Sequence, residues 1–424
     1  MDSKNKVKIY EELKELDMAT KKIIGVFQKS LQELEDKGVR KGHEMVITGI
    51  KPAQAPYGPR YYVQGYEGKE FIKMNANSYL GMSLKPELIE AEEKGSREYG
   101  VGPGAVRFIS GTYLPHVKLE ERLAQFHKRE AGMLFSAAYT TSIGVIFPLL
   151  TKETIVISDE LNHNCIINAM RMARPSDKKI YKHNDMSDLD RCLQESIGNA
   201  KRVIVVTDGI FSMRGDNAPL QEFVNICNKY DDKFEEGVVT IMDDSHGVGA
   251  FGATGRGTEE YTNARVDILI GTLGKAFGVN GGYVVSEKEI IAHLRETAPT
   301  YIYSNPITVG EACAALTSID ILDSPQGLKI LAHLKQVTNQ FREGLKLAGW
   351  ETLPGDHPVV PLMVRDTAKT KALVHFLTEN NILATGMNFP VVPKGDEEIR
   401  FQISADHTVA DIDYVLEVLK SYKS

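Results

Sequence analysis

Asp267-Ile-Leu-Ile-Gly-Thr-Leu-Gly-Lys275-Ala-Phe-Gly278 is the stretch from which the rest of the chain can be read. Ile268 to Ile270 form a short apolar run of strand type, and Gly271, Gly274 and Gly278 leave little bulk around Thr272 and Lys275. A lysine in such a loop is accessible to a carbonyl. Lysine also shifts its pKa downward readily on burial, so the ammonium can become the neutral amine that forms a Schiff base. Alone it means little: the chain has 50 Lys plus Arg, and most such groups are solvated surface charges. Its neighbours decide the matter.

Upstream, strand-like runs recur at Gly132 to Phe135, Thr154 to Ile157, Arg202 to Val206 and Val238 to Met242, and downstream at Tyr283 to Val285, with helix-length patterns between most of them. This alternation predicts an α/β fold with a mostly parallel central sheet and helices on both faces. Ligands of open sheets of this kind bind beyond the carboxyl ends of the strands. Those positions carry Ser136-Ala-Ala-Tyr-Thr-Thr-Ser142, Ser158-Asp-Glu-Leu-Asn-His163, Thr207-Asp-Gly-Ile-Phe-Ser212, Asp243-Asp-Ser-His246 and the Thr272/Lys275 loop. A surface or core role explains each residue alone, but it does not explain five reactive sets at successive strand ends.

The 424 residues are enough for two or three domains. An amphipathic helical pattern from Lys6 to Lys37 and a proline-rich connector make up residues 1–60. A large ligand-binding domain is expected over 61–300. A smaller α+β domain follows over 301–424, with a long helix from Thr308 to Leu347 and strands at Pro358 to Val364 and Ile399 to Ser404. The formal charge of -7 argues against a nucleic-acid partner. The four cysteines, Cys165, Cys192, Cys227 and Cys313, form no C-x-x-C pair and read as reduced thiols rather than a disulfide frame or a metal site. With no signal-like N-terminus and no apolar run that spans a bilayer, the expected compartment is the cytoplasm.

A lysine, an opposed carboxylate, free helix-terminal amides and an imidazole are what pyridoxal 5'-phosphate (PLP) requires. On this reading Lys275 takes the aldehyde and Asp243 the protonated ring nitrogen. His246 and Ser212 reach the phenolic oxygen, and Thr272 with the Ala138 and Tyr139 amides reaches the phosphate. His163 stacks on the ring. Of Asp243 and Asp244 only one can face inward, because neighbours on an extended chain point opposite ways.

The motifs Asn77-Ser-Tyr-Leu-Gly81, Val106-Arg-Phe-Ile-Ser-Gly-Thr112, Asp208-Gly-Ile-Phe-Ser-Met213, Asp243-Asp-Ser-His-Gly-Val-Gly249, Gly271-Thr-Leu-Gly-Lys-Ala276 and Pro390-Val-Val-Pro-Lys-Gly395 together resemble the α-oxoamine synthases, PLP enzymes of fold type I. The resemblance implies that Arg400 grips an amino-acid carboxylate with Asn77 nearby. It also implies that Ser304 and Asn305 reach the phosphate of a neighbouring subunit, so that a homodimer completes the site. Lys275, His163, Asp243 and His246 are then the catalytic set. The Pro390 to Gly395 segment, Val106-Arg107-Phe108 and Asn184-Asp-Met186 resemble the glycine C-acetyltransferase branch. The expected substrates are therefore glycine and acetyl-CoA, with a decarboxylating branch that uses another amino acid or a longer acyl-CoA as the alternative. Ser404-Ala-Asp406-His-Thr408 departs from the family's usual second alanine and bears on substrate choice. A remoter reading, a nucleotide-dependent oxidoreductase built on Gly247-Val-Gly249-Ala-Phe-Gly252, suffers from the polar residues between strand and glycines.

Overall fold

Runs such as Ile155-Val-Ile157 and Val203-Ile-Val-Val206 need apolar cover on both faces of a sheet, and they receive it. In the computed structural model, which describes residues 21–37, 40, 42, 44–389 and 391–422, Ile155, Ile157, Val203 and Val205 join one hydrophobic core, while Val156, Ile204 and Val206 join another. Helices pack on both faces, as Leu189 and Phe223 on one side and Ile166 and Met170 on the other indicate.

The sheet between these cores has seven strands: β1 (Ala131–Phe135), β2 (Thr154–Asp159), β3 (Asp177–Tyr181), β4 (Arg202–Asp208), β5 (Val238–Asp243), β6 (Ile268–Thr272) and β7 (Gly282–Ser286). Their order is β1-β7-β6-β5-β4-β2-β3. All neighbours are parallel except β7, which runs antiparallel to β1 and β6. The edge strand β3 escapes the sequence reading for a physical reason. Its Asp177-Lys-Lys-Ile-Tyr181 is charged and largely solvent-facing, as edge strands that resist further pairing are.

A second sheet of three antiparallel strands, β8 (Val359–Met363), β9 (Thr385–Met387) and β10 (Glu398–Gln402), has the order β8-β10-β9. Ile399 and Phe401 of β10 enter the first core and leave Arg400 on the opposite face. Ile72–Lys73 pairs in parallel with Ile382–Leu383, so this part of the segment after residue 61 lies with the C-terminal layer. The single helix expected from Thr308 to Leu347 is two helices, Val309–Leu322 and Pro325–Leu347. Ser324 caps the second and Pro325 opens it, and a proline disfavours helical geometry in the residue before it.

Of the N-terminal arm, Lys21–Asp36 is helical and buries no residue, and residues 1–20 lie outside the described part, as does Pro390. No described helix is long and apolar enough to cross a membrane.

Candidate active site

The carboxyl ends of β1, β2, β4 and β5 and the loop after β6 meet around a cavity of about 190 Å³. It is lined by Ala138, Tyr139, His163, Ser212, Asp243, His246 and Lys275, all singled out in the sequence, together with Cys165, Asp208, Ile210 and Ser245. Larger surface hollows lie elsewhere, but none holds this set of groups. Helix α1 (Ala138–Leu149) starts at the cavity, so its first-turn N–H groups have no partners within the helix and present the positive end of its dipole.

Lys275 is almost wholly buried. Burial brings its pKa down to about 8, a shift that the Asp243 carboxylate opposes and the Arg400 guanidinium reinforces. Near neutral pH roughly one such lysine in ten is then the neutral amine, against well under one in a thousand at its ordinary pKa. Asp243 is well supplied with donors: Ser142 Oγ at 2.8 Å on one oxygen and the Ser245 N–H at 3.1 Å on the other. Asp208 stands beside it as its direct partner on the adjacent strand. Burial and the Asp243 charge push the Asp208 carboxyl well above its usual range.

His163 caps helix α2 (Asn164–Met172). Its backbone N–H donates to Asp208 at 2.9 Å, and its Nδ1 accepts from the Cys165 N–H at 3.3 Å. Burial, helped by Lys275, lowers its pKa and keeps the imidazole neutral. His246 is buried and neutral for the same reasons, with its Nδ1 2.7 Å from the Tyr79 hydroxyl. His357 holds the chain at this point by donating from Nε2 to the His246 carbonyl at 2.9 Å.

Arg400 reaches the edge of this region from β10. Its Nε donates to the Ser212 carbonyl at 2.5 Å, and its Nη2 to Asn77 Oδ1 at 3.4 Å. Arg400 and Asn77 thus stand together. Thr272 does not line the cavity: its hydroxyl donates to the Gly281 carbonyl at 3.2 Å and accepts from the Gly274 N–H at 3.1 Å, which ties the lysine loop to itself. Ser304 and Asn305 follow the short helix Pro299–Ile302 and are also absent from the lining of this chain's cavity. Asp406 sits with Tyr61, Lys73 and His407 around a separate small recess, its pKa raised by burial. Among the described residues no group of His, Cys, Asp and Glu is placed to hold a metal ion.

Four contributors were not picked out from the sequence. Asp208 stands at a strand end already under scrutiny, where Ser212 alone drew attention. Ser142 lies one helical turn beyond Ala138, and Cys165 two residues beyond His163, so both follow once the helix starts are known. Tyr79 is fixed only by tertiary packing.

The residues present fit PLP. Beyond the buried amine and the donor-supplied carboxylate, the Ser245 hydroxyl is buried in the cavity wall without a partner, and such an orphan asks for a ligand.

The chain matches the Aminotransferase class I and II family over residues 69–419. It is 36% identical over 395 residues to the 8-amino-7-oxononanoate synthase of Thermosipho melanesiensis, covering 92% of this chain and 96% of that one. To the mitochondrial 2-amino-3-ketobutyrate coenzyme A ligase of Bos taurus it is 37% identical over 396 residues, covering 93% and 90%. Among solved structures it superposes on the serine palmitoyltransferase of Sphingomonas wittichii with a TM-score of 0.84, at 27% identity over 95% of this chain and 98% of that one.

Proposed function

The chain belongs to the class I and II aminotransferase family and, within it, to the α-oxoamine synthases, and we propose that it condenses an amino acid with an acyl thioester at a PLP site, releasing free thiol and carbon dioxide. One observation carries the proposal: a buried lysine with a lowered pKa shares a small cavity with a carboxylate that Ser142 and Ser245 hold in place. Solved serine palmitoyltransferases of this fold contain PLP.

Lys275, Asp243, His163, His246 and Ser212 would hold the cofactor, together with the first-turn amides of α1. When bound, PLP supplies an electron sink for the carbanion left by bond breaking at the amino acid's α-carbon. Lys275 Nζ, neutral in a useful fraction at working pH, takes the α-proton and later returns one. Arg400 binds the substrate carboxylate, with Asn77 fixing the guanidinium from the side. Asp243 supplies the fixed negative charge opposite the lysine. His163 forms the wall that faces the incoming thioester carbonyl. A second copy of the chain, reaching in with Ser304 and Asn305, completes the phosphate side.

The motifs favour glycine and acetyl-CoA, but the relatives shift the balance. 8-Amino-7-oxononanoate synthases recur among them at identities similar to that of the ligase. The decarboxylating reaction, with another amino acid or a longer acyl chain, is therefore the better-supported reading. Purified protein loaded with PLP should release thiol and carbon dioxide in equal amounts with one amino acid and acyl thioester from a panel. Thiol release with glycine and acetyl-CoA but without carbon dioxide would restore the acetyltransferase reading, and no thiol release from any pair would refute both.

A further inference from the structure

We infer that Cys165 holds the His163 imidazole in the tautomer that carries its proton on Nε2, which makes Cys165 a positioning residue for acyl transfer. The inference rests on the PLP reading of this cavity.

His163 Nδ1 lies 3.3 Å from the Cys165 backbone nitrogen and 2.9 Å from the Cys165 Sγ. A backbone N–H can only donate, so Nδ1 must be the unprotonated, accepting nitrogen, and in a neutral ring the proton then resides on Nε2. The thiol makes the second approach to the same lone pair. Burial and the Asp243 carboxylate push the thiol's pKa far up, so it keeps its proton and can donate. Asp243 Oδ2 competes for that proton, but at 3.7 Å it is the more distant acceptor. Its own needs are met by Ser142 and Ser245.

The other groups around His163 agree with this arrangement. Asp208 is occupied by the backbone N–H of His163, and the Tyr139 ring meets the imidazole edge-on with centroids 6.3 Å apart. The charges of Asp243 and Lys275 act on the ring in opposite directions. Among the described residues none is hydrogen-bonded to Nε2, so its proton is available at a wall of the cavity. A donor preset there can stabilise the negative charge that develops on a thioester carbonyl oxygen under attack. The other tautomer would present a lone pair instead and repel that charge.

The test uses full-length protein loaded with PLP, with Cys165→Ala and Cys165→Ser. Loss of one neutral hydrogen bond in Cys165→Ala should lower kcat about 3- to 10-fold. Amino-acid Kd and the visible cofactor band should stay unchanged. The acid limb of the His163 imidazole titration, followed by NMR of the labelled holoenzyme because the acid limb of kcat belongs to Lys275, should move to higher pH by about 0.5 to 1 unit, since a donor to Nδ1 favours the neutral ring and its removal eases protonation. Cys165→Ser, which keeps a donor in place, should restore both rate and limb. It also carries the test if the alanine variant does not fold, since an oxygen donor should then leave the limb at or below its wild-type position.

An acid limb that stays put in Cys165→Ala would overturn the inference. So would a limb displaced upward in Cys165→Ser, or a change confined to the pH dependence of the cofactor band, which would mean that the thiol serves Asp243. Wild-type protein with no cofactor band defeats the PLP reading and this inference together, whereas a normal band with an unmoved limb defeats the inference alone.

Discussion

Asp243 and Asp244 are consecutive residues whose carboxylates face different parts of the molecule. Asp243 looks into the cavity, where it accepts from Ser142 and Ser245. Asp244 looks away from it and accepts from the Thr258 N–H at 2.7 Å and the Thr258 hydroxyl at 2.6 Å. Asp244 is packed so closely that a Cβ on Gly209, Gly247 or Gly257 would lie 2.0 to 2.2 Å from one of its oxygens. One carboxylate faces the cavity and the other packs the loops after β4 and β5 together.

The two asparagine variants should therefore fail differently. Asp243→Asn is expected to melt near the wild-type temperature while losing about 10²-fold or more in kcat, the scale of a lost preorganised charge. Asp244→Asn should melt lower, by about 1 to 3 kcal/mol in stability, because an amide can accept only one of the two Thr258 hydrogen bonds without strain. Its folded fraction should keep most of its kcat. Thermal melts and steady-state rates on both variants check this pair, and equal losses of activity in both would contradict it.

On the proposed reading Arg400 would meet the substrate carboxylate as a fork, so lysine is a poor substitute. Arg400→Lys should leave the cofactor band intact and weaken amino-acid binding about 10- to 100-fold, as loss of a charge-assisted hydrogen bond does. Spectral titration with the amino acid gives the Kd, and an unchanged value would remove Arg400 from the carboxylate site.

Cofactor capture should depend on pH through Lys275. Because its pKa is depressed to about 8, the reactive neutral amine should rise about tenfold per pH unit below that value and level off above it. Mixing cofactor-free protein with PLP and following the visible band between pH 6 and 9.5 would show this. A rate still climbing tenfold per unit at the top of that range would mean an unperturbed lysine.

His183 bridges Asp159 and Asp216, at 3.1 Å to each, and so ties the end of β2 to the loop that carries Ser212. Burial opposes its protonation, but the two carboxylates win and raise its pKa to about 9. The sign follows from linkage: the folded state binds the proton more tightly than the unfolded one. The stabilisation is thus fully present below about pH 6.5 and is lost as pH climbs from there through 9. The melting temperature of the native protein should fall over that window by a few degrees more than that of His183→Gln. Parallel curves would deny the bridge.

Much of this site was open to inspection in the chain itself, because its residues sit at strand ends and strands are written in apolar runs. Lys275, Asp243, His163 and His246 each follow such a run, and the cavity contains them all. Periodicity gave no access to groups whose importance arises from a neighbour: Asp208 matters because β4 lies beside β5, and Tyr79 because a distant loop brings it to His246. Thr272 is a different case. Its position beside the lysine suggests a ligand contact, and in this structure its hydroxyl bonds Gly281 and Gly274 within its own loop. The break at Ser324-Pro325 was written in the sequence, yet the apolar pattern on either side hid it.

The central claim is that the amine at position 275 takes the aldehyde of PLP. Loading the purified protein with PLP, reducing with borohydride and mapping the labelled peptide by mass spectrometry tests it directly. The account predicts one phosphopyridoxyl group per chain, attached to Lys275, and none in Lys275→Ala. Label on another lysine, or no label at all, would contradict it.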